Sequence, residues 1–183
     1  MFTAYQDYSV IDAHVPVLTC QDDGTYIAKD CYFLEFAVKP DDKTKEKIKT
    51  ICKPFEHCGA VQYKIFRHKF FSDNTLRLFL LAGPDTIRNN FKETDDFLAF
   101  ALCEDDSEHT TVHYFEVNYI FRHNYEPYKK YRRVGTSAAQ ALEKAYIGRE
   151  LCGKSVANAL KFWLRNDFIL TDDRDLSVSW RQR

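Results

Sequence analysis

Arg132-Arg133-Val134-Gly135-Thr136-Ser137 is the stretch on which the fold reading turns. Ser137 and Gln140 have the spacing of a capping box, which places a helix start beside two arginines and a glycine. A helix N-terminus exposes unpaired N–H groups and about half a positive charge. It is therefore a ready site for an anion. Gly135 permits close backbone approach, and Arg132 and Arg133 bring charge that neutralises phosphate. The loop is expected to hold a phosphate group.

Downstream of the loop the apolar period is helical, with Ala138, Leu142, Ala145 and Tyr146 on one stripe. Residues 155–165 predict a second helix with Val156, Ala159, Leu160 and Trp163 inward, and residues 168–180 a closing hairpin. Upstream, residues 111–121 give the clearest strand. Val112, Tyr114, Glu116, Asn118 and Ile120 alternate with His113, Phe115, Val117, Tyr119 and Phe121. Residues 97–103 suit either a buried strand or a helix, because a short apolar run has no decisive period. Further strands are predicted at 10–18, 31–38, 61–65 and 75–81, with a helix at 43–58 and a helix start at 85–91. The class is mixed α/β or α+β, and with no linker or repeat in the 183 residues the chain reads as a single domain.

Composition is that of a globular chain, 45% hydrophobic and 29% charged. No apolar run approaches the roughly 20 residues that span a bilayer, and the N-terminus lacks the basic-then-apolar order of a signal peptide. A cytoplasmic location is expected, with no membrane partner. The six cysteines form no C-x-x-C pair, so free thiols are expected and no metal site. Cys52, His57 and Cys58 come nearest to one. Net charge is −1 but uneven: residues 1–127 hold 14 basic against 21 acidic side chains, and residues 128–183 hold 12 against 6. The basic C-terminal part suits an anionic partner, or neutralises the acidic part across an internal interface.

The order strand, R-x-x-G-x-S loop, helix resembles the coenzyme A pyrophosphate loop of the GNAT acetyltransferase superfamily, whose pattern is [Q/R]-x-x-G-x-[G/A]. Ala159-x-x-Phe162-Trp163-x-x-x-Asp167-Phe168 resembles that family's A-x-x-F-Y-x-x-x-G-F segment. The resemblance covers residues 97–170. It implies a mostly antiparallel central sheet flanked by helices, with residues 1–96 a divergent N-terminal half and 97–183 the cofactor-binding half. It further implies acetyl-CoA as cofactor and an amine-bearing acceptor, small molecule or protein, that attacks the thioester directly. Glu116 would be the base, a backbone N–H near Ile120 or Phe121 the oxyanion donor, and Arg132, Arg133, Val134, Gly135, Thr136 and Ser137 the pyrophosphate loop. Trp163 replaces the tyrosine that often protonates the departing thiolate, which leaves Tyr146 for that role. The strand that splays away to admit coenzyme A would fall at residues 145–148.

Two other readings fit the same residues. Residues 155–180 also resemble the recognition helix and wing of a winged helix–turn–helix protein, with Lys154, Lys161, Arg165, Arg174 and Arg181 meeting nucleic-acid phosphates. The upstream strands would then be a separate ferredoxin-like domain. A non-catalytic interaction protein on an acetyltransferase-like fold is the third.

Overall fold

The ambiguous run at 97–103 is a strand, and it lies at the centre of the sheet. The computed structural model describes residues 8–36, 41–52, 75–84, 86, 97–118 and 130–181. In chain order the elements are β1 (Tyr8–Cys20), β2 (Tyr26–Phe36), α1 (Asp42–Cys52), β3 (Leu76–Ala82), β4 (Phe97–Asp105), β5 (His109–Val117) and β6 (Tyr131–Arg132). They continue with α2 (Val134–Ala145), β7 (Glu150–Lys154), α3 (Leu160–Arg165), β8 (Ile169–Asp172) and β9 (Ser177–Trp180). The strands form one sheet in the order β6-β1-β2-β3-β4-β5-β7-β9-β8. All neighbours are antiparallel except β5 and β7. The fold is thus mixed α+β with a mostly antiparallel sheet. The expected strand at 61–65, the helix start at 85–91 and residues 53–58 of the first helix lie outside the described residues.

β4 is apolar at every position from Phe97 to Cys103 because both of its faces are covered. Phe97, Phe100 and Leu102 pack with Ile48 of α1 on one side. Ala99, Ala101 and Cys103 pack with Val134, Ala138 and Leu142 of α2 and Trp163 of α3 on the other. Ile48 is 1% exposed, and its burial contributes roughly 2 kcal/mol. The small residues Ala138, Ala139 and Ala141 are all buried and allow α2 to sit close to the sheet.

The strict alternation expected along 111–121 is broken. Leu102 pairs with Tyr114 and Cys103 with Val112, so His113 is an extra residue, a β-bulge. The bulge shifts the face count by one. Phe115 and Val117 therefore join Val112 on the α2 side, while Tyr114 packs against the α1-side core.

β5 and β7 are parallel, and α2 is the crossover that such a pair requires. The strand after the loop is Glu150–Lys154, not residues 145–148. Ala145 ends α2, Tyr146 caps it, and Gly148 at φ 86 makes the turn into β7. The helix expected at 155–165 is shorter, Leu160–Arg165, and Val156 is exposed rather than inward. The β8–β9 hairpin forms as expected, but β9 pairs with β7, so it is the margin of the main sheet and not the wing of a separate module. Among the described residues no helix is long and apolar enough to cross a membrane.

Candidate functional site between two diverging strands

The parallel ladder of β5 and β7 runs only from His109–Glu150 to Val112–Gly153. Its last pair includes a glycine for a steric reason. A Cβ on Gly153 would come within 3.0 Å of the Val112 carbonyl oxygen. Past that pair the bulge at His113 bends β5, and β5 continues beside β4 to Val117. Asn118 fixes its end there, donating from its backbone to Leu98 O and from its side chain to Phe97 O, each at 2.9 Å. β7 stops at Lys154, and the chain turns off through Ser155, whose N–H donates to Leu176 O. A wedge opens between the strands and holds a cavity of about 130 Å³. His113 to Glu116 line it from β5, Cys152 to Lys154 from β7, and Trp163 from α3.

The first turn of α2 packs beside this wedge, and none of its residues lines the cavity. A Cβ on Gly135 would lie 3.0 Å from Phe162 Cε2 and 3.3 Å from Val117 Cγ2, so the helix start is in contact with α3 and with the end of β5. Arg133 precedes the helix in the left-handed region at φ 62, and no side chain caps the helix. The expected capping box is not formed. Ser137 lies inside the helix, buried, and its hydroxyl donates to Pro16 O at 2.6 Å, tying α2 to β1. The N–H groups of Val134, Gly135 and Thr136 are those an α-helix leaves without an internal partner. Arg132 belongs to β6 and stacks on Tyr26, with its guanidinium carbon 4.1 Å from the ring centroid. Arg133 is exposed at the helix start.

Glu116 is half-buried and lines the wedge; Tyr146 does not. Tyr146 is buried in the core, edge-on to Phe79. Burial, then the neighbouring Cys103 and Asp105, hold its phenol far above the ordinary range. The phenol that lines the cavity is that of Tyr114. Ile120 and Phe121 lie outside the described residues, as do the side chains of Cys52, His57 and Cys58. Trp163 forms the cavity floor within an aromatic cluster, its ring centroid 5.0 Å from Phe115 and Phe162 and 4.8 Å from Phe168. Asp167, where the resemblance expects glycine, has φ 62. That is the left-handed conformation glycine favours and aspartate tolerates.

The cations proposed to meet nucleic acid are in part already paired. Lys154 Nζ is 2.7 Å from Asp175, and Arg174 is 2.9 Å from Asp172. Those aspartates are drawn below the usual carboxylate range by hydrogen bonds from Arg174 to Asp172 and from Lys154 and Ser177 to Asp175. Cys20, Cys31, Cys103 and Cys152 are free thiols. Among the described residues no group of three His, Cys, Asp or Glu side chains is placed to hold a metal.

Glu143 of α2 faces Asp167 at the end of α3. Burial first, and then Asp167, raise its carboxyl to about 7, and its Oε1 has no hydrogen-bond partner among the described residues. Between the ordinary carboxylate value and about 7 the folded state holds a proton that the unfolded chain has lost. Stability therefore falls as pH rises through that window. Glu143→Gln should leave melting unchanged at pH 4 and raise stability at pH 8 by about 1 kcal/mol, allowing for solvent screening. Parallel melts at the two pH values check this; an equal shift at both would assign the effect to packing.

No family model matches the chain, and no curated protein matches it. Among solved structures, the crystal structure of nourseothricin acetyltransferase aligns over 96% of this chain and 86% of its own, with 16% identity and a TM-score of 0.36. A likeness at that score sets neither family nor chemistry. The functional reading rests on the wedge.

The bulge at His113, β7 and Gly153 were not recognised as site elements from sequence. The one available signal was Glu150-Leu151-Cys152-Gly153-Lys154, a short strand-like run after a glycine turn at Gly148.

Proposed function

We propose that the protein is an acetyl-CoA-dependent N-acetyltransferase that moves an acetyl group to an amine by direct attack. The observation that carries this reading is the wedge: parallel strands that part after Val112–Gly153, with the uncapped start of α2 packed against Phe162 of α3 and Val117 at the end of β5. A thin, partly apolar slot suits an extended thiol arm, and a helix N-terminus suits a pyrophosphate. Bound there, acetyl-CoA would supply an acetyl thioester to the slot. The N–H groups of Val134, Gly135 and Thr136 would hold the pyrophosphate, with exposed Arg133 adding charge. Arg132 acts from one step back, packing β6 and the loop against Tyr26. Trp163, Phe115 and Phe168 keep water from the slot floor.

The acceptor meets the opposite side of the wedge. Because of the bulge, Tyr114 and Glu116 belong to the α1 side of β5 rather than the α2 side. Glu116 supplies the negative charge that draws in a protonated amine. Tyr114 is the phenol that lines the slot, and it would protonate a departing thiolate. Incubation with acetyl-CoA and a panel of primary amines (glucosamine, spermidine, lysine), read by thiol release, tests the reading. The expected result is amine-dependent release of free thiol; release that no amine accelerates contradicts it.

A further inference from the structure

We propose that His113, held by Glu104, is the group that takes the proton from the incoming ammonium, and that Glu116 binds the ammonium without accepting its proton. This rests on the acetyl-transfer reading. His113 is the bulge residue at the point where β5 and β7 part, and it lines the cavity. Its Nε2 lies 2.5 Å from Glu104 Oε2, and both side chains are partly buried, 24% and 38% exposed. The other oxygen of Glu104 accepts a hydrogen bond from Thr75 at 3.4 Å, which fixes the carboxylate across the strands. An ionised carboxylate only accepts hydrogen bonds, so neutral His113 carries its proton on Nε2. Nδ1 is then the free base, and it has no hydrogen-bond partner among the described residues.

An imidazole titrates near neutral pH, which suits transfer from an amine far better than an ordinary carboxylate does. The titratable groups around it are Glu104 from β4, Tyr114 and Glu116 from β5, and Cys152 and Lys154 from β7. The proton passes from the ammonium to Nδ1, and Glu104 stabilises the resulting imidazolium. The freed lone pair forms the C–N bond to the thioester carbonyl carbon. The C–S bond breaks, its electron pair leaves with sulfur, and the second nitrogen proton ends on that thiol. His113 returns its own proton to solvent, so each turnover yields amide, free thiol and one proton.

The first readout is the His113 Cε1–H resonance, assigned by its loss in His113→Gln, during titration of the wild-type protein with acetyl-CoA. Binding with a shifted resonance is expected. Binding with an unmoved resonance would overturn the role of His113 and leave the acetyl-transfer reading in place. Absence of binding at millimolar acetyl-CoA would remove that reading, and this one with it.

The second readout is the pH profile of kcat with the fastest amine of the panel. His113→Gln should lower kcat on the order of 100-fold and remove the acidic limb, with the Kd for acetyl-CoA unchanged. Glu104 is a positioning residue, and Glu104→Gln should lower kcat while leaving KM for the amine and Kd for acetyl-CoA unchanged. Glu116→Gln should raise KM for the amine and leave the limb where it is. An acidic limb that survives in His113→Gln and vanishes in Glu116→Gln would make Glu116 the base.

Discussion

Replacing Trp163 with alanine is expected to lower the stability of the fold by about 3–5 kcal/mol and the melting temperature by roughly 10 °C. Trp163 is 9% exposed and touches rings from three places, Phe115 on β5, Phe162 on α3 itself and Phe168 just beyond it. Each tilted contact contributes beyond simple burial. The site borders a cavity, so its walls have room to relax only in part, and the void left by the indole would merge with the slot. Trp163→Phe keeps the aromatic contacts and should lose less than half as much. Denaturant and thermal unfolding of both variants measure this. A loss below 1 kcal/mol for the alanine variant would mean that α3 is held mainly by other contacts.

Gly135→Glu should weaken acetyl-CoA binding by on the order of 100-fold, because like charges forced together cost several kcal/mol. Crowding is the competing explanation, since any Cβ there presses on Phe162 and Val117. Gly135→Ala carries the crowding without the charge, and its helix propensity offsets about 1 kcal/mol. A glutamate in the first turn also suits the helix dipole, so the fold should persist. Acetyl-pantetheine, which lacks the pyrophosphate, separates the two effects. Its affinity should be the same in wild type and Gly135→Glu. Parallel losses for both ligands would place the defect in the slot rather than at the helix start.

The two glycines and the bulge show how far the residues could be read in advance. Gly135 was legible as a close-approach position, but what approaches was not. The sequence suggested a ligand, whereas the described neighbours are Phe162 and Val117. Ser137 and Gln140 matched a helix-start spacing, yet the N-cap is Arg133, four residues earlier, and the hydroxyl serves Pro16 O, a contact across more than a hundred residues. Local spacing cannot register a partner so distant. The bulge was hidden because residues 112–121 alternate well on paper, and only cross-strand register reveals the extra residue. β7 was hidden by brevity: five residues, one a glycine that β propensity disfavours. β4 became legible once both faces were known to be covered, since a run apolar at every position needs two cores. What the pattern did carry was the order of strand, loop and helix around Gly135; the role of Glu116 came from the family resemblance rather than from alternation.

The wedge between β5 and β7 is the central claim, and titration of the wild-type protein with acetyl-CoA tests it most directly. A ligand that binds only the folded state raises the melting temperature, by about 2.7 kcal/mol of added stability at one hundred times Kd. For a chain of this length that is a rise of roughly 5–10 °C. A saturable rise with acetyl-CoA is the predicted result; a melting temperature unmoved at millimolar acetyl-CoA would contradict the assignment.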